Sequence, residues 1–368
     1  MRDFRFNIIY VLCLSVCLCC TEKSIIKENI DIDNLTSVSI FDLFESLDVI
    51  QLETNDECLI STIAQVLFYD NRYYVFDIRQ QGLFCFDTNG KFLFKIFRKG
   101  QGPEEYLYLC SITIDSFNEQ LLLLEPFGNL LAFSLDGNFI SKTRLPMEIM
   151  AYNEVYPLNK DTLLFISLNR YSLLLYEKKT NLIIDNKYES DNKYLLLSPI
   201  NKTYSYNNQL FFSIPLTNDI LNLNDNSFFT WNFGKKNNTK KQIKNVTREI
   251  NREKDPFVDF VEKRLLNYYF IYNYETARYK ICMLRYGNNK YRNLYFDKTL
   301  NKPIIFDKTI EGIQFITSYY NNNSIILTEE HYKYKYYDES ILTEQQREII
   351  NSRNEYDNPF LVKYNFKK

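Results

Sequence analysis

The chain has 368 residues, a formal net charge of −2 and a 16% aromatic content carried by 30 Tyr and 29 Phe. That length fits two or three ordinary domains or one large repetitive one, and the aromatic surplus favours pleated, half-buried surfaces. The near-neutral charge excludes the basic footprint of a nucleic-acid binder, and a single histidine, His331, excludes zinc sites and triads built on several histidines.

At the start of the chain, Arg2 and Arg5 precede an apolar run over residues 8–18. The run is shorter than the ~20 residues a membrane helix needs, so it reads as a secretory signal peptide. It ends in Leu14-Ser15-Val16-Cys17-Leu18-Cys19-Cys20, followed by polar Thr21-Glu22-Lys23-Ser24. This ending resembles a bacterial lipoprotein signal, in which a cysteine after small or apolar residues is acylated and becomes the new N-terminus. Cys20 is the expected acylation site, because Cys19 is the small residue required before it and polar sequence begins directly after. Cys17 and Cys19 fit less well, with Val16 and Leu18 before them. The resemblance implies a signal over residues 1–20, a polar tether over 21–36 and a lipid anchor in the cell envelope, with the membrane as partner. More than one acyl chain is what stable anchoring requires. Of the eight cysteines, Cys58, Cys85, Cys110 and Cys282 then remain beside Cys20. That is too few for a disulfide scaffold. Cys85 and Cys110 read as small buried hydrophobes, with a bridge between them left open by the spacing.

A repeat begins at residue 74. Tyr74-Val75-Phe76-Asp77 and Leu83-Phe84-Cys85-Phe86-Asp87 are followed by the turn Thr88-Asn89-Gly90 and the run Lys91-Phe92-Leu93-Phe94. The same order returns 47 or 48 residues later as Leu123-Leu124-Glu125, Leu131-Ala132-Phe133 and Asp136-Gly137-Asn138-Phe139-Ile140. Asn-Gly and Asp-Gly between alternating apolar runs predict two-residue hairpins with positive φ at both turn positions. A period of this length with several strands per unit predicts propeller blades. Fainter copies lie at residues 162–167 and 171–176, at 209–213, 219–223 and 227–233, at 277–284, 291–296 and 303–306, and at 312–320 and 324–329. The sixth unit lacks outer strands until residues 358–366, while residues 47–53 form a strand with no blade of its own. Pairing these two ends closes the ring and removes open sheet edges. With nine Gly and nine Pro in the chain, turns are expected to use Asn and Asp, as at Asn207-Asn208 and residues 222–226. Helices are expected within residues 241–266, where Phe257, Phe260, Val261 and Leu265 keep helical spacing, and within 343–353, where Thr343 and Gln346 form a capping box.

These residues resemble the six-bladed β-propeller lipoproteins of Bacteroides-type bacteria, relatives of NHL-repeat proteins. The match rests on Val49-Ile50-Gln51-Leu52-Glu53-Thr54 with Leu59-Ile60-Ser61, and on Tyr74-Val75-Phe76-Asp77. It continues with Lys99-Gly100-Gln101-Gly102-Pro103-Glu104-Glu105-Tyr106, Asn218-Asp219-Ile220-Leu221 and Phe233-Gly234, and ends with Asp357-Asn358-Pro359 and Leu361-Val362. The resemblance implies an all-β, six-bladed propeller of four-stranded blades over residues 37–368, closed by its terminal strands, and export. It implies no activity, catalytic residue or cofactor.

Candidate site residues are few. In residues 98–106, Arg98, Lys99, Gln101, Glu104, Glu105 and Tyr106 offer charges and an amide for a sugar or anion at the ring face. The competing reading is an inter-blade turn in which Glu104 or Glu105 bonds backbone N–H groups. Lys235, Lys236, Lys240, Lys241, Lys244, Arg248 and Arg252 form a basic stretch diluted by Glu249, Glu253 and Asp255, which reads as a solvated surface. The tyrosines at 268–269, 272–274, 319–320 and 332–337 either stack on sugar rings or pack between blades. His331, beside Glu329 and Glu330, reads as a loop histidine. No catalytic carboxylate pair or metal ligand set stands out, and no cofactor is expected. The reading is therefore a lipid-anchored binding or scaffold module for a glycan, peptide or protein. Its alternative is a hydrolase or lyase with a metal held by Asp, Glu or Asn at a channel mouth. Three or more such side chains converging there would favour the enzyme, and an aromatic-lined groove would favour binding.

Overall fold

Six antiparallel sheets follow one another along the chain in this computed structural model, which describes residues 23–25, 29–149, 152–167, 171–189, 202–249, 265–286, 290–316, 319–321, 323–328 and 335–368. Cys20, His331 and the positions of Phe257, Phe260 and Val261 lie outside the described residues. Blade one is Ile63–Tyr69, Arg72–Asp77, Gly82–Asp87 and Phe92–Ile96. Blade two is Ser111–Asp115, Gln120–Glu125, Asn129–Ser134 and Phe139–Arg144. Blade three is Tyr152–Pro157, Thr162–Ser167, Tyr171–Glu177 and Leu182–Glu189. Blade four is Thr203–Tyr206, Gln209–Ser213, Asp219–Asn222 and Phe228–Thr230. Blade five is Tyr268–Glu275, Tyr279–Tyr286, Lys290–Asp297 and Lys302–Phe306. Blade six is Tyr319–Asn321, Ser324–Thr328 and Phe360–Phe366, completed on its outside by Phe44–Gln51. The chain is a six-bladed β-propeller whose two ends share one blade, as expected from the unmatched terminal strands.

The central strands of the blades are hydrophobic without interruption because both of their faces are covered. In blade one the alternation of side chains divides them cleanly. Tyr74, Phe76, Leu83 and Cys85 enter the cluster shared with blade two. Tyr73, Val75, Phe84 and Phe86 enter the cluster shared with blade six. Cys58, Cys85, Cys110 and Cys282 are all free thiols, so no Cys85–Cys110 bridge exists. Cys85 is fully buried and burial pushes its thiol up to about 12.

The glycine turns depart from the expected type. Only Gly90 (φ +82°) and Gly137 (φ +80°), and not Asn89 or Asp136, take positive φ. Gly90 N–H donates to Asp87 O at 3.1 Å and Asp87 N–H to Lys91 O at 2.9 Å, and the register slips between Cys85 and Phe86. This is a type I turn closed by a left-handed glycine bulge rather than a two-residue hairpin. A Cβ on Gly90 would lie 2.0 Å from Gln51 O, so the position also needs glycine for close approach to blade six. Elsewhere Asn takes over, as expected, with positive φ at Asn71, Asn181, Asn207, Asn208, Asn226 and Asn301.

The N-terminal segment travels around the rim. Within the stretch expected as a tether, Lys23–Ile25 pairs in parallel with the outer strand of blade four. Ile30 and Ile32 are buried, and Ile30 N–H donates to Asn232 O at 2.8 Å. Thr36 N–H reaches Ile305 O of blade five at 2.6 Å, and Ile310 N–H reaches Val38 O at 2.9 Å. Arg292 of blade five, 7% exposed, fastens this strap through Asp33 at 2.9 Å and the carbonyl of Ile32, and is itself held by Asp307 of its own blade's edge at 2.9 Å. A one-turn helix, Ile40–Leu43, capped by Ser39, then leads into blade six.

Ring closure uses residues from both ends. Asn358 Nδ2 donates to Glu53 O at 2.6 Å and Cys58 O at 2.7 Å, while its Oδ1 accepts from Ile60 N–H at 2.8 Å. One expected helix forms at Glu344–Ser352, with the Thr343–Gln346 capping box, and the insert holds a helix at Lys240–Glu249, ahead of the positions whose spacing suggested one. Among the described residues, no helix is long and apolar enough to cross a membrane.

Candidate functional site

Each blade contributes its first strand to the ring axis, and these six strands enclose a channel of about 610 Å³. Volumes of ~300–1,000 Å³ are usual for small-molecule sites. Its wall includes Gln65 from blade one, Ser111 and Thr113 from blade two, Glu154 and Tyr156 from blade three, and Thr203, Tyr204 and Ser205 from blade four. Blades five and six add Ile271, Tyr272, Tyr274, Tyr319, Tyr320 and Asn321.

The aromatic side chains are held by their neighbours. Tyr274 and Tyr320 pack with ring centroids 4.4 Å apart, and Tyr272 and Tyr320 at 4.9 Å. Tyr204 stacks on Phe211 at 5.0 Å. Tyr272 Oη donates towards Phe315 O at 3.0 Å and lies 3.1 Å from Asn293 Oδ1. Burial holds the phenols of Tyr156, Tyr204 and Tyr274 well above their ordinary values, so they are neutral hydrogen-bonding groups. Among the described residues, Glu154 is the sole carboxylate on the wall. It accepts from Tyr156 Oη at 2.7 Å and from Lys202 Nζ, so its charge is compensated in place. The channel is thus neutral, rich in hydroxyl and amide groups, and lined by aromatic and aliphatic faces.

The buried carboxylates elsewhere are engaged in the fold. Asp77 accepts from the N–H groups of Ser61, Arg79 and Gln80 at 2.5, 2.9 and 2.9 Å. Glu125, at the equivalent place in blade two, accepts from Leu107 N–H and Asn129 Nδ2, each at 2.7 Å. Both carboxylates therefore fasten the loop that enters their blade. Asp115 binds Lys178 at 2.6 Å, Asp297 binds Arg278 at 2.9 Å, and Glu275 lies between Lys280 at 2.7 Å and Lys298 at 3.1 Å. Among the described residues, no group of three or more His, Cys, Asp or Glu side chains is placed to hold a metal.

The residues singled out in the sequence fall in two places. Residues 98–106 link blade one to blade two and do not line the channel. Lys99 and Tyr106 form a parallel bridge, Gly100 N–H donates to Tyr106 O at 3.0 Å, and Gly102 N–H donates to Glu105 Oε2 at 2.8 Å. Tyr106 is buried and its hydroxyl donates to Gln81 O at 2.7 Å. Arg98 pairs with Glu104, and Lys142 donates to Glu105 O at 2.5 Å. Gln101 is exposed. The tyrosines at 272, 274, 319 and 320 do reach the channel, whereas Tyr268 and Tyr269 pack between blades. Tyr156, Tyr204 and Glu154 escaped sequence reasoning. The available signal was position: all three stand on the first strand of their repeat.

Residues 23–365 match the family model described as Domain of unknown function (DUF4934). A search of curated proteins finds no match. Among solved structures, a protein described as exported, from Bacteroides fragilis, is similar with a TM-score of 0.71 at 17% identity, over 94% of this chain and 100% of that one. A member of the duf4221 family from Bacteroides vulgatus is similar with a TM-score of 0.53 at 10% identity, over 88% of this chain and 97% of that one. At these identities the likeness is one of fold.

Proposed function

The chain belongs to the DUF4934 family, and we propose that it is a binding module whose central channel takes a neutral polar ligand, held at the cell envelope by acylation of Cys20. The observation that carries the ligand reading is the channel wall itself. Six strands converge on a space of about 610 Å³ whose one carboxylate among the described residues is already paired, between tyrosine faces and hydroxyl or amide groups. Such a wall favours a sugar or a short uncharged peptide, which offers apolar faces to aromatic rings and hydroxyl or amide groups to Gln65, Thr113, Ser205 and Asn321. The proposal places the ligand in the channel rather than on residues 98–106, whose polar groups largely bond one another. Export is supported by the signal-like first twenty residues and by the description of the Bacteroides fragilis neighbour.

The test is a glycan and peptide binding screen on the full-length protein in detergent, with metal analysis alongside. Ser205→Trp, which fills the channel from an exposed wall position, is expected to abolish binding while leaving the fold intact by circular dichroism. Binding unaffected by that substitution would place the ligand elsewhere. A stoichiometric divalent metal would replace the binding reading with the hydrolase or lyase.

A further inference from the structure

The two faces of the ring are built differently, and the N-terminal strand leaves from only one of them. Within each blade the chain meanders, so the turns after the first and third strands lie on one face. The turns after the second strand and the links to the next blade lie on the other. The first face is made of short turns, such as residues 70–71, 116–119, 135–138, 178–181, 207–208 and 223–227. The second carries the long connections, such as residues 52–62 and 97–110 and those that leave blade four after Thr230 and blade five after Phe306.

Lys23 pairs with Phe228, Ser24 with Phe229 and Ile25 with Thr230, in parallel. Phe228 is the first residue after the short turn 223–227. The chain before Lys23 therefore departs from the short-turn face, at the rim of blade four. Cys20 is three residues upstream, so its reach from Lys23 is at most about 10 Å. Blade four's outer strand has only three residues, and Lys23–Ile25 covers its open edge, which fixes the departure point.

We infer that the anchored protein meets the lipid headgroups with its short-turn face, at blades three to five, and turns its long-loop face away from the bilayer. This rests on the acylation of Cys20 proposed above. The short-turn face suits that contact. It presents Asn207 and Asn208, both exposed, and on blade three Lys179, 72% exposed beside Asp161. The opposite face presents exposed apolar side chains around blade two, Leu107, Tyr108, Phe127 and Met147, and is left open to soluble partners.

Lys179 and Met147 allow a direct measurement, since both are exposed and stand on opposite faces of the same sector. The native thiols Cys58, Cys85 and Cys282 are buried, and the half-buried Cys110 on the channel wall is replaced by Ser in both proteins, so that labelling reports the introduced cysteine. Full-length Lys179→Cys and Met147→Cys proteins, each carrying one fluorophore, are reconstituted into phosphatidylethanolamine–phosphatidylglycerol vesicles containing a headgroup spin-labelled lipid. Quenching is expected to be several-fold stronger at position 179 than at 147. Equal quenching, or stronger quenching at 147, overturns the orientation. A flexible twenty-residue Gly-Ser insertion between Glu22 and Lys23, reaching roughly 25 Å, is expected to erase the difference. A difference that survives the insertion overturns the role of the N-terminal strand. Mass spectrometry of the same samples separates the two readings. A chain without acyl groups overturns the anchor, and the orientation with it, whereas an acylated chain quenched at 147 overturns the orientation alone.

Discussion

Blades four to six and blades one to three are held together by different means. In the first half the N-terminal strap crosses from blade four over blade five to blade six, and the buried residues of the three blades merge with Ile30, Ile32 and Val38 into one large cluster. Trp231 sits within it, donating its indole N–H to Asn273 Oδ1 at 2.9 Å. In the second half the apolar residues divide into separate clusters, one per blade interface. Phe133 belongs to the cluster between blades one and two, and Phe165 to that between two and three. The lesson is that a chain which repeats one unit six times need not distribute its stability evenly. A non-repetitive segment at one end unites three of the units.

That contrast can be broken most sharply at Phe133, which is fully buried. Phe133→Ala is expected to cost about 3–5 kcal/mol, the usual loss for a truncated buried aromatic. Native-state hydrogen exchange should show the loss in blades one and two, with blades four to six keeping their protection. Equal acceleration in all six blades would mean that the ring opens as one unit and that the strap makes no separate half. A smaller effect is expected from Arg292→Met, which unfastens the strap. Removing one partner of a fully buried ion pair costs ~3–5 kcal/mol, but Asp33 and Asp307 are 52% and 37% exposed and regain water, so about 2 kcal/mol is expected. Denaturant titration gives the total, and exchange at residues 30–38 and in blades five and six should rise while blades one and two stay unchanged. The smallest effect concerns acid. Burial alone would raise the pKa of Asp297, yet the N–H groups of Leu300 and Thr299 and the Arg278 guanidinium hold it below its ordinary value. A carboxylate with a depressed folded pKa contributes its stability above the unfolded value near 4 and loses it as the pH falls through the folded one. Asp297→Asn should therefore lower stability at pH 7 and flatten its decline between pH 5 and 2, read from thermal midpoints.

Much of this architecture was written in local patterns. The second, third and fourth strands of blades one and two, the Thr343–Gln346 capping box and the Asn-based turns follow from alternation and turn chemistry that act over a few residues. The first strands were harder to see. Thr203–Tyr206 alternates small polar and aromatic residues but over only four positions, too few to stand out, and Tyr268–Glu275 is buried at every position and so shows no alternation. Without these strands only the tyrosines at 272, 274, 319 and 320 pointed to the channel, and the wall from blades one to four stayed hidden. The strap carried a legible signal in Ile30-Asp31-Ile32-Asp33, whose alternation matches its one-sided burial, although a polar composition drew the eye to a tether. The face from which the chain before Lys23 departs depends on a pairing between residues 23–25 and 228–230, and a contact across two hundred residues leaves no local trace.

The position of Phe360–Phe366 has a consequence for timing. This strand lies inside blade six, with Ser324–Thr328 on one side and Phe44–Gln51 on the other. Phe44–Gln51 precedes the other five blades in the chain, and the partner it waits for follows them. Until then the ring stays open, and every nascent or prematurely stopped chain carries an unpaired strand at its leading end, the kind of edge that recruits other chains. Closure by so distant a contact is slow. The opening therefore persists wherever the chain folds until residues 360–366 arrive, and a chain cut before residue 360 is expected to associate with its neighbours rather than to form a smaller propeller.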